Sequence, residues 1–297
     1  MEQSTAIIIV GPTASGKTDI AVQLAQHFNT HIISADARQC YIELNIGVAK
    51  PTPQQLTAAP HHFINTHHIT ETVNVKAFEQ YAMQKVQEFF KTNQHVIVTG
   101  GTGLYIKAFC EGIDHLPNIP DEIRQYLRLQ YAEKGITWLQ NQLHLYDSLF
   151  SQTDDLKNPQ RMLRALEVVI YTGKSVRTFQ AGVKQYRPFR IIKIGLECER
   201  EVLYNRINKR VDVMMQQGLE EEVSALVPYK SLPALQTVGY QELFAYFEGK
   251  CSLNEAVVNI QKNTRHYAKR QLTWFKKDAS IQWIREAQGS IIEKLIG

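Results

Sequence analysis

Residues 11–18 read GPTASGKT, with glycine, lysine and threonine at the spacing G-x-x-x-x-G-K-[ST]. These residue types suit the binding of a di- or triphosphate. Gly11 and Gly16 permit backbone angles that turn amide N–H groups inward. Those amides and the N-terminus of a following helix favour an anion. Lys17 brings a point charge to the terminal phosphates, and the Thr18 hydroxyl can ligate Mg²⁺. Pro12, Thr13, Ala14 and Ser15 complete the loop and count with it as phosphate-binding residues. Apolar IIIV precedes the loop and TDIAVQLA follows it. That strand–loop–helix setting argues against a chance match.

The loop does not name the reaction. Guanine recognition through Asn-Lys-x-Asp is absent. An ATPase would place an acid at the end of an apolar strand. HVIVTGGT (95–102) supplies none, whereas HIISADARQ (31–39) supplies Asp36. Ligands of open α/β sheets bind beyond the carboxyl ends of the strands, so Asp36 is expected to face the loop across a crevice. The plainer alternative is a solvated turn aspartate. TGGTGLY (99–105) brings Gly100, Gly101, Thr102 and Gly103 to the same rim, either for close approach to a ligand or for a turn that needs glycine.

Buried-type β-branched runs at Ile7–Val10, Ile32–Ser34, Val96–Thr99 and Ile191–Leu196 read as strands of a parallel sheet. HHFINTH (61–67) and IQWI (281–284) are weaker candidates. Helical patterns cover Thr18–Phe28 and Val75–Phe90. Between Asp114 and Phe189 only helices and loops are read, among them one starting after Pro120 and one capped by Asn158, with Pro159 first and Gly173 near its end. The expected fold class is α/β: a P-loop-type three-layer parallel sheet with an inserted all-helical domain. The expected domains are 1–113 with 190–297 as core and 114–189 as insertion.

Composition narrows the function classes. Net charge is +4, from 33 basic and 29 acidic residues, too mild to establish a nucleic-acid partner by itself. Its distribution says more. Ala256–Lys277 contains no acid, and Lys262, Arg265, Lys269 and Lys276 recur on one helical face, with Tyr267 and Trp274 interleaved. Such a stripe suits phosphate tracking and base stacking, or is a solvated basic face. Scattered Cys40, Cys110, Cys198 and Cys251 give neither a zinc nor a disulfide framework, so a reduced, cytoplasmic protein is expected. No apolar run approaches the ~20 residues of a membrane span. His61-His62 and His67-His68 read as ordinary strand or loop histidines rather than metal ligands.

In order along the chain stand GPTASGKT, SADARQCY, GVAKPT, APHHFI, GGTGLY, NPQRMLRALEV, VGYQEL and TRHYAKRQLTWFKK. Together they closely resemble the bacterial tRNA dimethylallyltransferases (tRNA isopentenyltransferases), over essentially the whole chain. The resemblance implies transfer of a dimethylallyl group from its pyrophosphate to the exocyclic amine of the adenosine 3′ of the anticodon, with Mg²⁺. It makes the phosphate loop a cradle for a leaving group. It implies Asp36 as general base, Thr102 on the adenosine or donor, and Lys17, Thr13 and Arg210 on the phosphates; Arg210 reads equally as a helix-surface arginine. The tRNA anticodon stem-loop is expected to meet Asp36, Ala37, Arg38, Gln39 and Thr102. It is also expected to meet Arg124, Gln160, Arg161, Met162, Leu163 and Arg164 in the insertion, and Lys269, Arg270, Gln271, Thr273, Trp274 and Lys276 in the basic stretch. Two departures stand out: Ala37 replaces the family's usual serine, and NTHHIT replaces its Asp-Ile-x-Asp-Pro. A monomer with no membrane partner is expected. The rival readings are an adenylate dimethylallyltransferase, a P-loop small-molecule kinase and an RNA-binding nucleotide switch.

Overall fold

The computed structural model describes residues 3–180 and 182–285. Its core is a six-stranded sheet in the order β3-β2-β4-β1-β5-β6: β1 Thr5–Val10, β2 Ile32–Ser34, β3 His61–His62, β4 His95–Thr99, β5 Arg190–Glu197 and β6 Ile281–Arg285. Every pairing is parallel. All of β1 is buried, and its side chains serve the two faces alternately. Ala6, Ile8 and Val10 pack with Phe78, Ala82 and Val86 of helix Val75–Phe89 and with Phe109 of helix Gly103–Glu111. Ile7 and Ile9 pack with Ala21, Val22 and Leu24 of helix Lys17–His27. Helices on both faces make the three layers and explain why the strands read as unbroken apolar runs rather than alternating ones.

Two expectations are refined. The stretch 61–67 pairs with β2 only at His61 and His62. Phe63 and Asn65 take positive φ of 62° and 53°, which ends the strand. IQWI does form β6, as the sheet edge beside β5. The four cysteines are free thiols. Among the described residues, no helix is long and apolar enough to cross a membrane.

The chain forms two compact units, Met1–Glu111 with Tyr186–Gly297, and Gly112–Gln185. The second contains no strand among its described residues. Its core gathers Leu127, Leu139 and Leu143 of helix Asp121–Tyr146 with Met162, Leu166 and Val169 of helix Pro159–Thr172. Gly135, at φ 73° and ψ −171°, breaks the first of these helices. The second helix begins where the Asn158 side chain accepts from the N–H groups of Gln160 and Arg161. It ends at Gly173, whose left-handed conformation returns its N–H to the Val169 carbonyl.

Asn158→Ala removes both cap bonds and should cost about 1 kcal/mol of local stability. Amides of helix Pro159–Thr172 should then exchange hydrogen roughly fivefold faster, with β1 unchanged. Unaltered exchange in that helix would contradict the cap's role.

Candidate active site

The phosphate loop leaves β1 and closes at Gly16, a left-handed residue that is the N-cap of helix Lys17–His27. Ala14 also holds a positive φ of 64°, a conformation that non-glycine residues keep where the surroundings impose it. The Ser15 hydroxyl is buried without a hydrogen-bond partner. Lys17 folds back, its Nζ donating to the Pro12 carbonyl at 2.6 Å. Arg210, from helix Arg200–Gln216, donates from Nη1 to Thr13 Oγ1 at 3.3 Å. Burial, then the nearby Arg210 guanidinium, pull the Lys17 ammonium down to about 7, with Asp36 opposing.

Asp36 follows β2, and its Oδ1 accepts the N–H groups of Arg38 (2.8 Å) and Gln39 (3.3 Å). Burial raises its pKa above the ordinary carboxylate value, against the pull of those two N–H groups, Lys17 and Arg38. The rim after β4 is fastened to this turn. Thr102 N–H donates to the Ala35 carbonyl at 3.2 Å, and Thr102 Oγ1 accepts the Ala37 N–H at 3.0 Å. The bond to residue 37 uses its backbone, so alanine in place of serine leaves it intact. Glycine is needed here for close approach: a Cβ on Gly100 would overlap the Ala35 carbonyl, and one on Gly103 would overlap the Trp274 ring.

Thr13, Lys17, Asp36, Gly100, Arg210, Tyr267 and Gln271 line one cavity of about 570 Å³, whereas Thr102 is not on its wall. A smaller cavity of about 130 Å³ shares Thr13, Asp36, Arg210, Met214 and Tyr267 and adds apolar Val211, Leu219 and Ile260. A cationic cradle, a carboxylate and an adjoining apolar recess thus meet at Asp36. Thr18 also lines the larger cavity. No group of three or more His, Cys, Asp or Glu among the described residues could hold a metal by itself. Thr18, on the wall of the larger cavity, is the residue that would ligate a phosphate-borne Mg²⁺, with water or phosphate oxygens completing its shell.

The residues expected on RNA fall into distinct settings. Gln271 is 5% exposed and spends its amide inside the protein: its Oε1 accepts the Thr13 N–H at 2.8 Å and its Nε2 donates to the Gly101 carbonyl at 2.9 Å. It ties the phosphate loop to the glycine rim. Met162 and Leu163 are core residues of the inserted unit, so their side chains have no surface to offer RNA. Gln160 and Arg161 are exposed, and Arg161 pairs with Asp155. Arg124 and Arg164 converge on the buried Glu167 carboxylate, at 3.9 and 3.1 Å. On helix Leu253–Phe275, Lys269, Arg270 and Thr273 are exposed and Trp274 is 40% exposed. Lys276, just beyond it, pairs with Glu197 at 3.0 Å, and Arg265 of the basic stripe bonds Asn208.

Sequence reasoning left Tyr267 out of the chemistry. It reaches both cavities, and burial and Asp36 push its phenol pKa up. Its place between Arg265 and Lys269 marked it as a stacking partner, and only the fold turns it toward Asp36.

The IPP transferase family model matches residues 39–278. A protein of Bacteroides thetaiotaomicron named tRNA dimethylallyltransferase 1 is 44% identical over 98% of this chain and 95% of its own. A tRNA dimethylallyltransferase of Christiangramia forsetii is 48% identical over 96% and 94%. The solved tRNA isopentenylpyrophosphate transferase of Bacillus halodurans superposes with a TM-score of 0.72 at 32% identity, covering 99% of this chain and 94% of that one.

The lowered Lys17 pKa has a measurable consequence. Above about pH 7 the free protein holds Lys17 largely neutral, and an arriving anion raises its pKa again. Calorimetry of inorganic pyrophosphate about one pH unit higher, in buffers of different ionisation enthalpy, should show more proton uptake by wild type than by Lys17→Arg. Equal uptake would contradict this account.

Proposed function

The chain belongs to the IPP transferase family, and from that premise we propose its reaction: transfer of the dimethylallyl group from dimethylallyl pyrophosphate to the exocyclic amine of the adenosine 3′-adjacent to the anticodon. It is a transferase that modifies tRNA by prenylation. The observation that carries the finer reading is the meeting of phosphate cradle, Asp36 and apolar recess around one cavity.

In that reading the pyrophosphate lies on the amides of residues 11–18, with Lys17, Thr13 and Arg210 on its oxygens. The allylic chain points toward the apolar recess. The adenosine leaves its stack to enter, since its amine is out of reach inside a stem-loop. Its nitrogen forms a bond to the allylic carbon as the carbon–oxygen bond breaks, and the electron pair departs on pyrophosphate. The Asp36 carboxylate takes the amine proton. Oδ1 is held by two N–H groups, which leaves Oδ2 to face the amine. Thr102, whose Oγ1 accepts from Ala37, keeps its hydroxyl proton for the adenosine or the donor. When bound, Mg²⁺ neutralises charge on the leaving oxygens, with Thr18 as its protein ligand.

RNA is held in this reading by exposed Gln160 and Arg161 of the inserted unit and by Lys269, Arg270 and Thr273, with Trp274 as a stacking face. Arg124, Arg164 and Lys276 serve if their carboxylate partners yield them to phosphate. Gln271 acts instead from inside, by fixing Thr13. Tyr267 faces Asp36 and completes the chamber. The enzyme works as a cytoplasmic monomer. A free adenylate acceptor would need neither the inserted unit nor the basic helix. A kinase could also use a carboxylate as base, but the relatives are named for prenyl transfer to tRNA rather than phosphoryl transfer.

Labelled dimethylallyl pyrophosphate supplied with unmodified tRNA, tRNA lacking the target adenosine, and free AMP separates the readings. Label should enter only the first. Label entering AMP as readily as tRNA would sink the tRNA assignment. Asp36→Asn should keep tRNA affinity while turnover falls roughly a hundredfold or more. Near-normal turnover would reject Asp36 as base.

A further inference from the structure

The loop Asn45–Lys50 belongs to no helix or strand, yet it forms the wall where the two cavities meet. Val48 and Ala49 line both cavities, and Ile46 lines the larger. Three constraints hold this loop. The first is Glu222, on the short helix Leu219–Ala225. Its Oε2 accepts the N–H groups of Asn45 at 3.1 Å and Ile46 at 2.7 Å. Its Oε1 accepts the Gly47 N–H at 3.1 Å and the Tyr240 hydroxyl at 2.6 Å. Four donors match the acceptor capacity of one carboxylate, and charge-assisted bonds of this kind are stronger than neutral ones.

The second constraint is the Tyr240 ring itself. It is fully buried and lies against Gly47, where an added Cβ would sit 2.6 Å from the ring. The third acts from the opposite side. Gln39 Nε2 donates to the Ala49 carbonyl at 3.0 Å, while its backbone N–H donates to Asp36 Oδ1. Ala49 keeps a left-handed φ of 49° under these bonds. A non-glycine residue stays there when its surroundings over-determine it. Neither Glu222 nor Tyr240 lines the larger cavity, so both act through the loop.

We propose that Glu222 is a positioning residue for the prenyl donor: by gathering the amides of residues 45–47 it sets the Val48–Ala49 wall against the donor's apolar chain. The loop then distinguishes a prenylated pyrophosphate from a bare one, while residues 11–18 hold the phosphates common to both. The inference rests on the donor assignment made above.

Glu222→Gln keeps the shape but replaces one acceptor oxygen with a donor group. Affinity for dimethylallyl pyrophosphate, and its KM in tRNA prenylation, should worsen about tenfold, while affinity for inorganic pyrophosphate stays within about twofold. The turnover number at saturating donor should change little. Tyr240→Phe keeps the ring against Gly47 and removes one donor, so it should act in the same direction by a smaller factor, and it carries the test if Glu222→Gln does not fold. A ratio of the two affinities equal to the wild-type ratio in either folded variant overturns the inference. So does equal weakening of both ligands, which marks a merely structural role. Wild-type protein that binds dimethylallyl pyrophosphate but transfers no prenyl group to tRNA would overturn the reaction instead, so the two failures are distinguishable.

Discussion

Burying Lys17 beside Arg210 is the constraint on which the rest of the site depends. Two cations enclosed together repel, and desolvation penalises each. The protein relieves part of this by turning Lys17 onto the Pro12 carbonyl and Arg210 onto Thr13. The lowered Lys17 pKa shows that relief is partial, and the same loop keeps an unpartnered Ser15 hydroxyl. A bound anion, pyrophosphate in the proposed reaction, would supply the missing counter-charge. Such a site is arranged for an anion before the anion arrives, so little reorganisation is left for the reaction step.

Holding that arrangement requires the ends of β1, β2 and β4 to keep their spacing. Short polar links do this. Thr102 and Ala35 lock the β4 rim to the β2 turn, and Gln271 locks the same rim to the phosphate loop. Gly100 permits the first approach because no side chain intervenes. The sheet beneath is buried on both faces, so its strand ends shift little. The site is thus a set of loops over a stiff floor.

What could be read from sequence follows from how local each signal is. GPTASGKT between an apolar strand and a helix is contiguous, and Asp36 follows a strand in the same way, so both could be placed before any coordinates. The cap at Asn158 and the stop at Gly173 are likewise local signals. Gln271 was legible only as part of a basic, RNA-like stretch. Its burial depends on Thr13, 258 positions away in sequence, and no periodicity reports such a contact. Met162 and Leu163 show the complementary limit. A motif names a stretch, but the 3.6-residue helical period turns one face of it inward, and Met162 and Leu163 lie on that face. The early end of β3 was hidden because positive φ at Phe63 has no signature in a residue type that rarely adopts it.

In the proposed reaction Asp36 would carry two demands that conflict. Cations placed to stabilise a departing pyrophosphate also stabilise the aspartate anion, and so would weaken it as a base. The N–H groups of Arg38 and Gln39 push the same way. Burial opposes all of them, and its effect is the largest, so the net pKa lies above the ordinary value. Desolvation therefore does two things at once: it strengthens the cradle's hold on leaving charge and restores basicity to the carboxylate beside it. An open cavity would lose both, because water would screen the cations and solvate Asp36. This is a physical reason for closing the chamber with Tyr267 and the Val48–Ala49 wall rather than leaving the strand ends bare.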